Sequence, residues 1–309
     1  MADTLKYWHN GHPIILSSVT AVANLKYWDS AQPYVMIPPP PPPPSVYKDV
    51  SLRSVYNNLS DNLKLLYDFS ETGSSLATAD NSANQRTGNV SGSNTTAMWT
   101  AGGTGGLNCD GTNDHVDIAG TDIFSAHTIG SVEMWVDILE LDRLQSLFNY
   151  SKSTDNLQHF NIQLQADNSF KVVIGAGTDF LTSNNAITDT GIYHILLTND
   201  GTTIKFYLNS VLQDITWSDT AKTLWFADLT GANTITLGNY MTNGADDHYA
   251  NTTYYKFAVY DIALTQSQIT KIFRNERLLF DSDIRPTVPI PNPGRSTTNV
   301  QTGLIFQDI

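Results

Sequence analysis

The chain has 309 residues, enough for one large β domain with further segments, since all-β sandwiches reach roughly 250 residues. Apolar residues make up 40% and charged residues only 15%; with Asn, Thr, Ser and Gly supplying the polar surface, this argues against helical bundles, which want Glu, Lys, Ala and Leu. The net charge of −13 repels phosphate backbones and anionic headgroups, so neither nucleic acid nor membrane is an expected partner.

The charge is concentrated in the middle. Lys6 and Lys26 cancel Asp3 and Asp29 near the start, and Arg285 and Arg295 outweigh Asp308 near the end. Cys109 is the only cysteine, so no internal disulfide forms, and a small buried thiol in a strand is expected. No run approaches the ~18 apolar residues of a membrane helix. No basic patch followed by an apolar stretch marks a secretory signal, which leads to the expectation of a protein made in the cytoplasm.

In chain order, residues 1–37 come first and contain a duplication. Leu5-Lys6-Tyr7-Trp8 precedes Pro13, and Leu25-Lys26-Tyr27-Trp28 precedes Pro33, a period of 20 residues. Each copy reads as a short strand, a turn and a second strand. A lone hairpin is marginal in water, so Tyr7, Trp8, Tyr27 and Trp28 want a surface to pack on. That surface is either another subunit, which makes them an assembly anchor, or the chain's own main domain.

Pro38 to Pro44 follow as seven consecutive prolines. A polyproline II segment at ~3.1 Å per residue makes a strut of roughly 20 Å; the other reading is a ligand for a proline-binding module. We take 38–45 as a linker, 46–285 as the main domain, which holds no proline, and 286–309 as an extended proline-containing tail.

The main domain reads as strands and turns. Val132, Met134, Val136 and Ile138 alternate with Glu133, Trp135 and Asp137, the mark of a half-buried strand. Phe160, Ile162 and Leu164 alternate with His159, Asn161 and Gln163, and Ile204, Phe206 and Leu208 with Lys205, Tyr207 and Asn209. Asp200-Gly201 between two such runs predicts a type I′ hairpin. One helix is expected near the end, where Thr265 to Gln268 form a capping box ahead of the stripe Ile269, Ile272, Phe273.

Four segments in order resemble the laminin-G-like members of the concanavalin A superfamily. They are Leu66-Tyr67-Asp68-Phe69-Ser70; Gly106 to Ile118 around Asp110-Gly111-Thr112-Asn113-Asp114, with Cys109 in a slot usually held by Phe; Tyr193 to Asn209, with Ser210 in place of a turn glycine; and Phe257 to Phe273. The resemblance spans about 215 residues and implies an all-β fold, a two-sheet antiparallel jelly-roll sandwich. Such sandwiches host lectins, adhesins, glycosidases and structural modules, so the fold alone does not give the function. The sequence departs from the pattern at the closing strand, where Tyr255 and Lys256 stand in place of an acidic pair.

Hydrolysis on this fold needs two carboxylates on one face. Glu133 and Asp137 share a face, but Trp135 lies between them, and no catalytic residue is expected. Asp110, Asp114, Asp246 and Asp247 are candidate calcium ligands on predicted loops; the competing reading makes them turn-formers. Trp135, Tyr207, Tyr240 and Tyr255 are candidate glycan-stacking residues, the other reading being core.

Strut, duplicated arm and sandwich together suggest a non-enzymatic bacteriophage virion protein, made in the host cytoplasm. It would be a capsid decoration, head-fibre or tail-fibre component, held to other virion proteins through residues 1–37, homo-oligomeric, and presenting the sandwich to a host-surface glycan. The alternative is a bacterial cell-surface or secreted glycan-binding adhesin.

Overall fold

The structure, a computed structural model, describes residues 59–71, 75–93, 95–99, 105–120, 124–154, 158–175, 179–218, 223–242 and 245–277, together with four strands ahead of residue 36. The proline linker 38–45 and the tail 286–309 lie outside the described residues. The chain divides into two compact units, Met1–Tyr47 and Lys48–Ile309.

The first unit holds two hairpins, β1 (Leu5–His9) with β2 (His12–Leu16) and β3 (Lys26–Asp29) with β4 (Gln32–Val35). The duplication extends to their register: Trp8 pairs with Pro13 and Trp28 with Pro33.

The second unit is a two-sheet sandwich. The seven-stranded sheet comprises β5 (Leu63–Tyr67), β8 (Leu107–Asp110), β10 (Gly130–Ile138), β15 (Gly191–Asn199), β16 (Ile204–Leu208), β17 (Val211–Leu212) and β22 (Asn251–Tyr260). The long β22 pairs with β8 through its first half and with β5 through its second. The nine-stranded sheet comprises β6 (Ala77–Thr78), β7 (Gly88–Ser91), β9 (His115–Ile118), β11 (Gln145–Ser151), β12 (His159–Leu164), β13 (Phe170–Gly175), β14 (Asp179–Ser183), β18 (Ile215–Trp217) and β19 (Thr234–Leu237). A further hairpin, β20 (Tyr240–Thr242) with β21 (Ala245–Asp247), follows β19.

Period-2 alternation turns Val132, Met134, Val136 and Ile138 of β10 and Phe160, Ile162 and Leu164 of β12 into one core between the sheets. Phe124, Phe148, Tyr150, Phe160, Trp225 and Phe226 form an aromatic cluster within it, most pairs tilted or edge-on, the arrangement that ring quadrupoles favour. Cys109 is buried there too, and burial pushes its thiol well above its ordinary pKa.

Two expectations are corrected in detail. The β15–β16 hairpin forms, but of the two residues only Gly201 has a positive φ (+83°), so its turn is not type I′. Instead Asp200 Oδ1 accepts the amides of Thr202 and Thr203 and closes a longer loop. The type I′ geometry occurs one hairpin later, where Asn209 (φ 51°) and Ser210 (φ 65°) are the two residues joining β16 to β17.

The second correction concerns β10, which is buried on both faces. The helix Gln266–Arg277 covers the outer face of the seven-stranded sheet. Its capping box is present: Gln268 N donates to Thr265 Oγ1 at 3.3 Å, and Thr265 N donates to Gln268 Oε1 at 2.8 Å. Ile269 and Ile272 pack with Leu66, Leu196, Tyr207 and Ala258, and Phe273 lies on Trp135 with its ring 5.5 Å away and nearly parallel.

Candidate functional site

Each sheet has an outer face, and they differ in chemistry. Under the helix, β10 contributes Glu133 and Trp135, β15 His194, β22 Lys256 and Tyr260, and the helix Glu276. A bulge sets the geometry: Trp135 pairs with Lys256 and Val136 with Tyr254, so Tyr255 is the extra residue and Lys256 is turned under the helix. Its Nζ donates to Glu133 Oε1 at 2.5 Å and to Glu276 Oε1 at 2.7 Å. Tyr260 donates its hydroxyl to Glu133 Oε2, and Trp135 Nε1 donates to Glu276 Oε2 at 2.6 Å.

His194 Nε2 lies 3.2 Å from Glu133 Oε1, while its Nδ1 is buried without a partner. Burial lowers the imidazole to about 4 and the Lys256 ammonium to about 8. Burial, and next the charge of Glu276, push Glu133 up. Glu133, His194 and Glu276 place ligand atoms within 4.8 Å of one another, but the Lys256 ammonium already supplies the positive charge for both carboxylates. Glu133 is fully buried, so the one carboxylate pair considered for hydrolysis, Glu133 with Asp137, is out of a polysaccharide's reach.

On the nine-stranded sheet the outer face is polar. Alternation turns His159, Asn161 and Gln163 of β12 outward, Lys171 and Val173 of β13 beside them, and Phe180 and Thr182 of β14 beyond. The registers align Asn161 with Val173 and Phe180, and Gln163 with Lys171 and Thr182. The hairpin β20–β21 lies across β11. Ser146 Oγ donates to Asn239 O, Ser151 Oγ to Met241 O, and Ser146 N to His248 O. Beneath it Ser146, Asn161, Asn149 and Ser151 form a chain of side-chain hydrogen bonds.

This hairpin brings Tyr240 over β12. The Tyr240 and His159 rings meet edge to face at 5.4 Å, and the His248 ring lies tilted 5.8 Å from Tyr240. His248 has φ 50°, a left-handed conformation that packing must hold. At the far edge Lys171 Nζ stands 3.8 Å from the centre of the Phe180 ring. Two strand spacings and a two-residue offset put the Phe180 and His159 positions roughly 12 Å apart. The result is a strip with a half-buried aromatic at each end, half-buried Lys171 and Thr182 along its far side, and a floor of buried side chains, His159, Asn161, Gln163 and Val173.

Of the candidate stacking residues, only Tyr240 lies on this strip. Trp135 is 1% exposed, enclosed by Phe273 and His194, and offers no free ring face. Tyr207 is buried beneath the helix, and Tyr255 packs beside Trp135, Ile192 and Phe273. All three belong to the seven-stranded sheet; burial under the helix removes Trp135 and Tyr207 as stacking faces, while Tyr255 stays half-buried and away from the strip. Phe180, Lys171 and the amides of β12 were missed as site residues, although alternation marks His159, Asn161 and Gln163 as outward.

Of the four candidate calcium ligands, Asp110, Asp114 and Asp247 have side chains among the described residues. Asp110 Oδ1 accepts Thr112 N and Asp114 Oδ2 accepts Asp110 N, closing their own turn. Asp247 is exposed and accepts His248 N. The side chains of Asp246 and of Tyr7, Trp8, Tyr27 and Trp28 lie outside the described residues.

A family model described as the concanavalin A-like lectin/glucanases superfamily matches residues 110–270. The chain belongs to this superfamily. Its jelly-roll sandwich and laminin-G-like motifs agree with that membership. No curated protein matches the chain.

Solved structures similar to this superfamily member include a Trypanosoma rangeli sialidase in complex with the inhibitor DANA, at 15% identity and TM-score 0.52, covering 73% of this chain and 37% of that one. A botulinum neurotoxin type C structure, whose cell entry is described as dependent on two ganglioside molecules, has 15% identity and TM-score 0.51, covering 71% and 52%. The CBM40 of a Ruminococcus gnavus sialidase has 16% identity and TM-score 0.43, covering 48% and 84%. At these identities the likeness is one of fold. No helix among the described residues is long and apolar enough to cross a membrane.

Proposed function

We propose that the sandwich is a glycan-recognition module displayed by a bacteriophage virion structural protein, a capsid decoration, head-fibre or tail-fibre component, and that it does not catalyse a reaction. The observation that carries the glycan reading is the strip on the nine-stranded sheet. Tyr240 and Phe180 offer half-buried aromatic surface at its two ends, and the half-buried Lys171 and Thr182, with the edge of the Gln163 amide, offer polar groups beside them. Sugar recognition combines those two elements, apolar ring faces on aromatics and hydroxyls on fixed polar groups.

The virion reading is supported by the arm. Two hairpins of identical register stand in a unit of 47 residues, too few to bury a core without help. Tyr7, Trp8, Tyr27 and Trp28 then serve as the anchor to other virion proteins, in a homo-oligomeric assembly, with the proline run as spacer.

The test uses the full chain on an immobilised glycan panel and in purified particles. Tyr240→Ala and Phe180→Ala each remove binding while the melting curve is retained, and deletion of residues 1–37 removes the protein from particles. Panel binding that both substitutions leave intact rejects the strip as the site. Glycan binding with no particle association makes a bacterial surface or secreted adhesin the better reading.

A further inference from the structure

We propose that the strip selects a sugar bearing a carboxylate, and that Lys171 is the residue that selects it; this rests on the reading of the strip as a glycan site. The chain holds 30 acidic and 17 basic residues, so an ammonium within a folded strand finds a carboxylate easily. The other strand lysines of the sandwich show this among the described residues. Lys64 pairs with Asp261, Lys205 with Asp200, and Lys256 with both Glu133 and Glu276. Lys171 is different: among the described residues no carboxylate lies within ion-pair distance of it, and its one close partner is the face of Phe180.

Its surroundings hold the ammonium in place. Lys171 stands in register between Gln163 and Thr182, half-buried, and burial lowers its pKa. A half-dehydrated ammonium without a counter-charge is unfavourable in the free protein and becomes favourable when an anion completes it. The ring of Phe180 fixes the ammonium without neutralising it. Gln163, whose carbonyl accepts from Gln165 Nε2 at 3.0 Å, retains its own amide hydrogens for a neighbouring hydroxyl. A neutral sugar gains the aromatics and the edge of the Gln163 amide but leaves the ammonium unmatched. A hexuronate and a sialic acid both present the required carboxylate.

The experiment measures binding of the full chain by calorimetry to four probes: an oligogalacturonate, its carboxyl-reduced counterpart, sialyllactose and lactose. At least one acidic probe is expected to bind tenfold or more tightly than its neutral partner, and which pair shows the preference identifies the acidic sugar. Lys171→Met should erase that preference, bringing each acidic probe to the affinity of its neutral partner, and Lys171→Arg should keep it. Equal affinity for acidic and neutral partners overturns the proposal, as does a preference that persists in Lys171→Met with an unchanged melting curve. Failure of all four probes, in wild type as in Lys171→Met, removes the glycan reading itself and the inference with it; neutral binding alone removes only the inference.

Discussion

The two outer faces of the sandwich begin from the same pattern and end differently. On both, alternation sends polar side chains away from the core, Glu133 and Lys256 on one sheet and Asn161, Gln163 and Lys171 on the other. The seven-stranded sheet then receives a helix, and its charges are matched within the protein, ammonium to carboxylates and indole to carboxylate. The nine-stranded sheet receives a hairpin held by hydroxyls and amides, which leaves Tyr240 and Lys171 half-buried. Charges satisfied internally give stability to a covered face; groups left partly satisfied give a face something to bind with.

The largest effect should come from Lys256→Met. It leaves Glu133 and Glu276 buried against each other, and breaking one member out of a buried ion network costs about 3–5 kcal/mol. Denaturant unfolding measures it, and adding Glu133→Gln with Glu276→Gln should recover most of the loss. A loss under about 1 kcal/mol would show that the covered face does not depend on charge matching.

A somewhat smaller effect concerns pH. The His194 imidazole is held down at about 4 against an ordinary 6.5, so between those values the unfolded chain takes up a proton that the folded chain refuses. Stability from this residue is present above pH 6.5 and is lost as pH falls to 4, by up to about 3 kcal/mol. Glu133, pushed up, acts in the opposite direction in both proteins. The readout is therefore the difference between wild type and His194→Gln, which keeps a donor to Glu133; parallel stability curves from pH 7 to 4 would remove the claim.

On the other sheet Tyr240→Ala should change unfolding free energy by no more than about 1 kcal/mol while lowering glycan affinity tenfold or more. A large loss of stability with no change in binding would reverse the roles of the two faces. The smallest effect is Ser210→Gly. A left-handed non-glycine residue costs roughly 1 kcal/mol, so the substitution should raise the melting temperature slightly.

Sequence reading reached the elements whose cause is local. The capping box of Thr265 and Gln268, the stripe of Ile269, Ile272 and Phe273, and the alternation in β10 and β12 all depend on neighbours within a turn or a strand. The Asp110–Asp114 turn likewise closes on itself. What escaped depends on distant partners. Trp135 reads as a stacking residue until Phe273, far along the chain, covers its ring. Lys256 reads only as a departure from an acidic pair until the bulge at Tyr255 sets it under the helix. Phe180 and Tyr240 lie far apart in the chain and on different elements, and only the order of strands in the sheet brings them onto one strip. The hairpin was found at Asp200-Gly201, but the turn type followed the carboxylate of Asp200 and not the dipeptide rule.

The pairing of β5 with β22 has an architectural consequence. Leu63 lies opposite Tyr260, Asp261 N donates to Asn62 O, and Lys64 reaches Asp261 at 2.8 Å. The polypeptide thus passes into the sandwich and out of it through a single doorway, its two thresholds stitched together. Strands that enter and leave side by side cover each other's edge, so the closing helix Gln266–Arg277 sets out across the sheet from a fixed point.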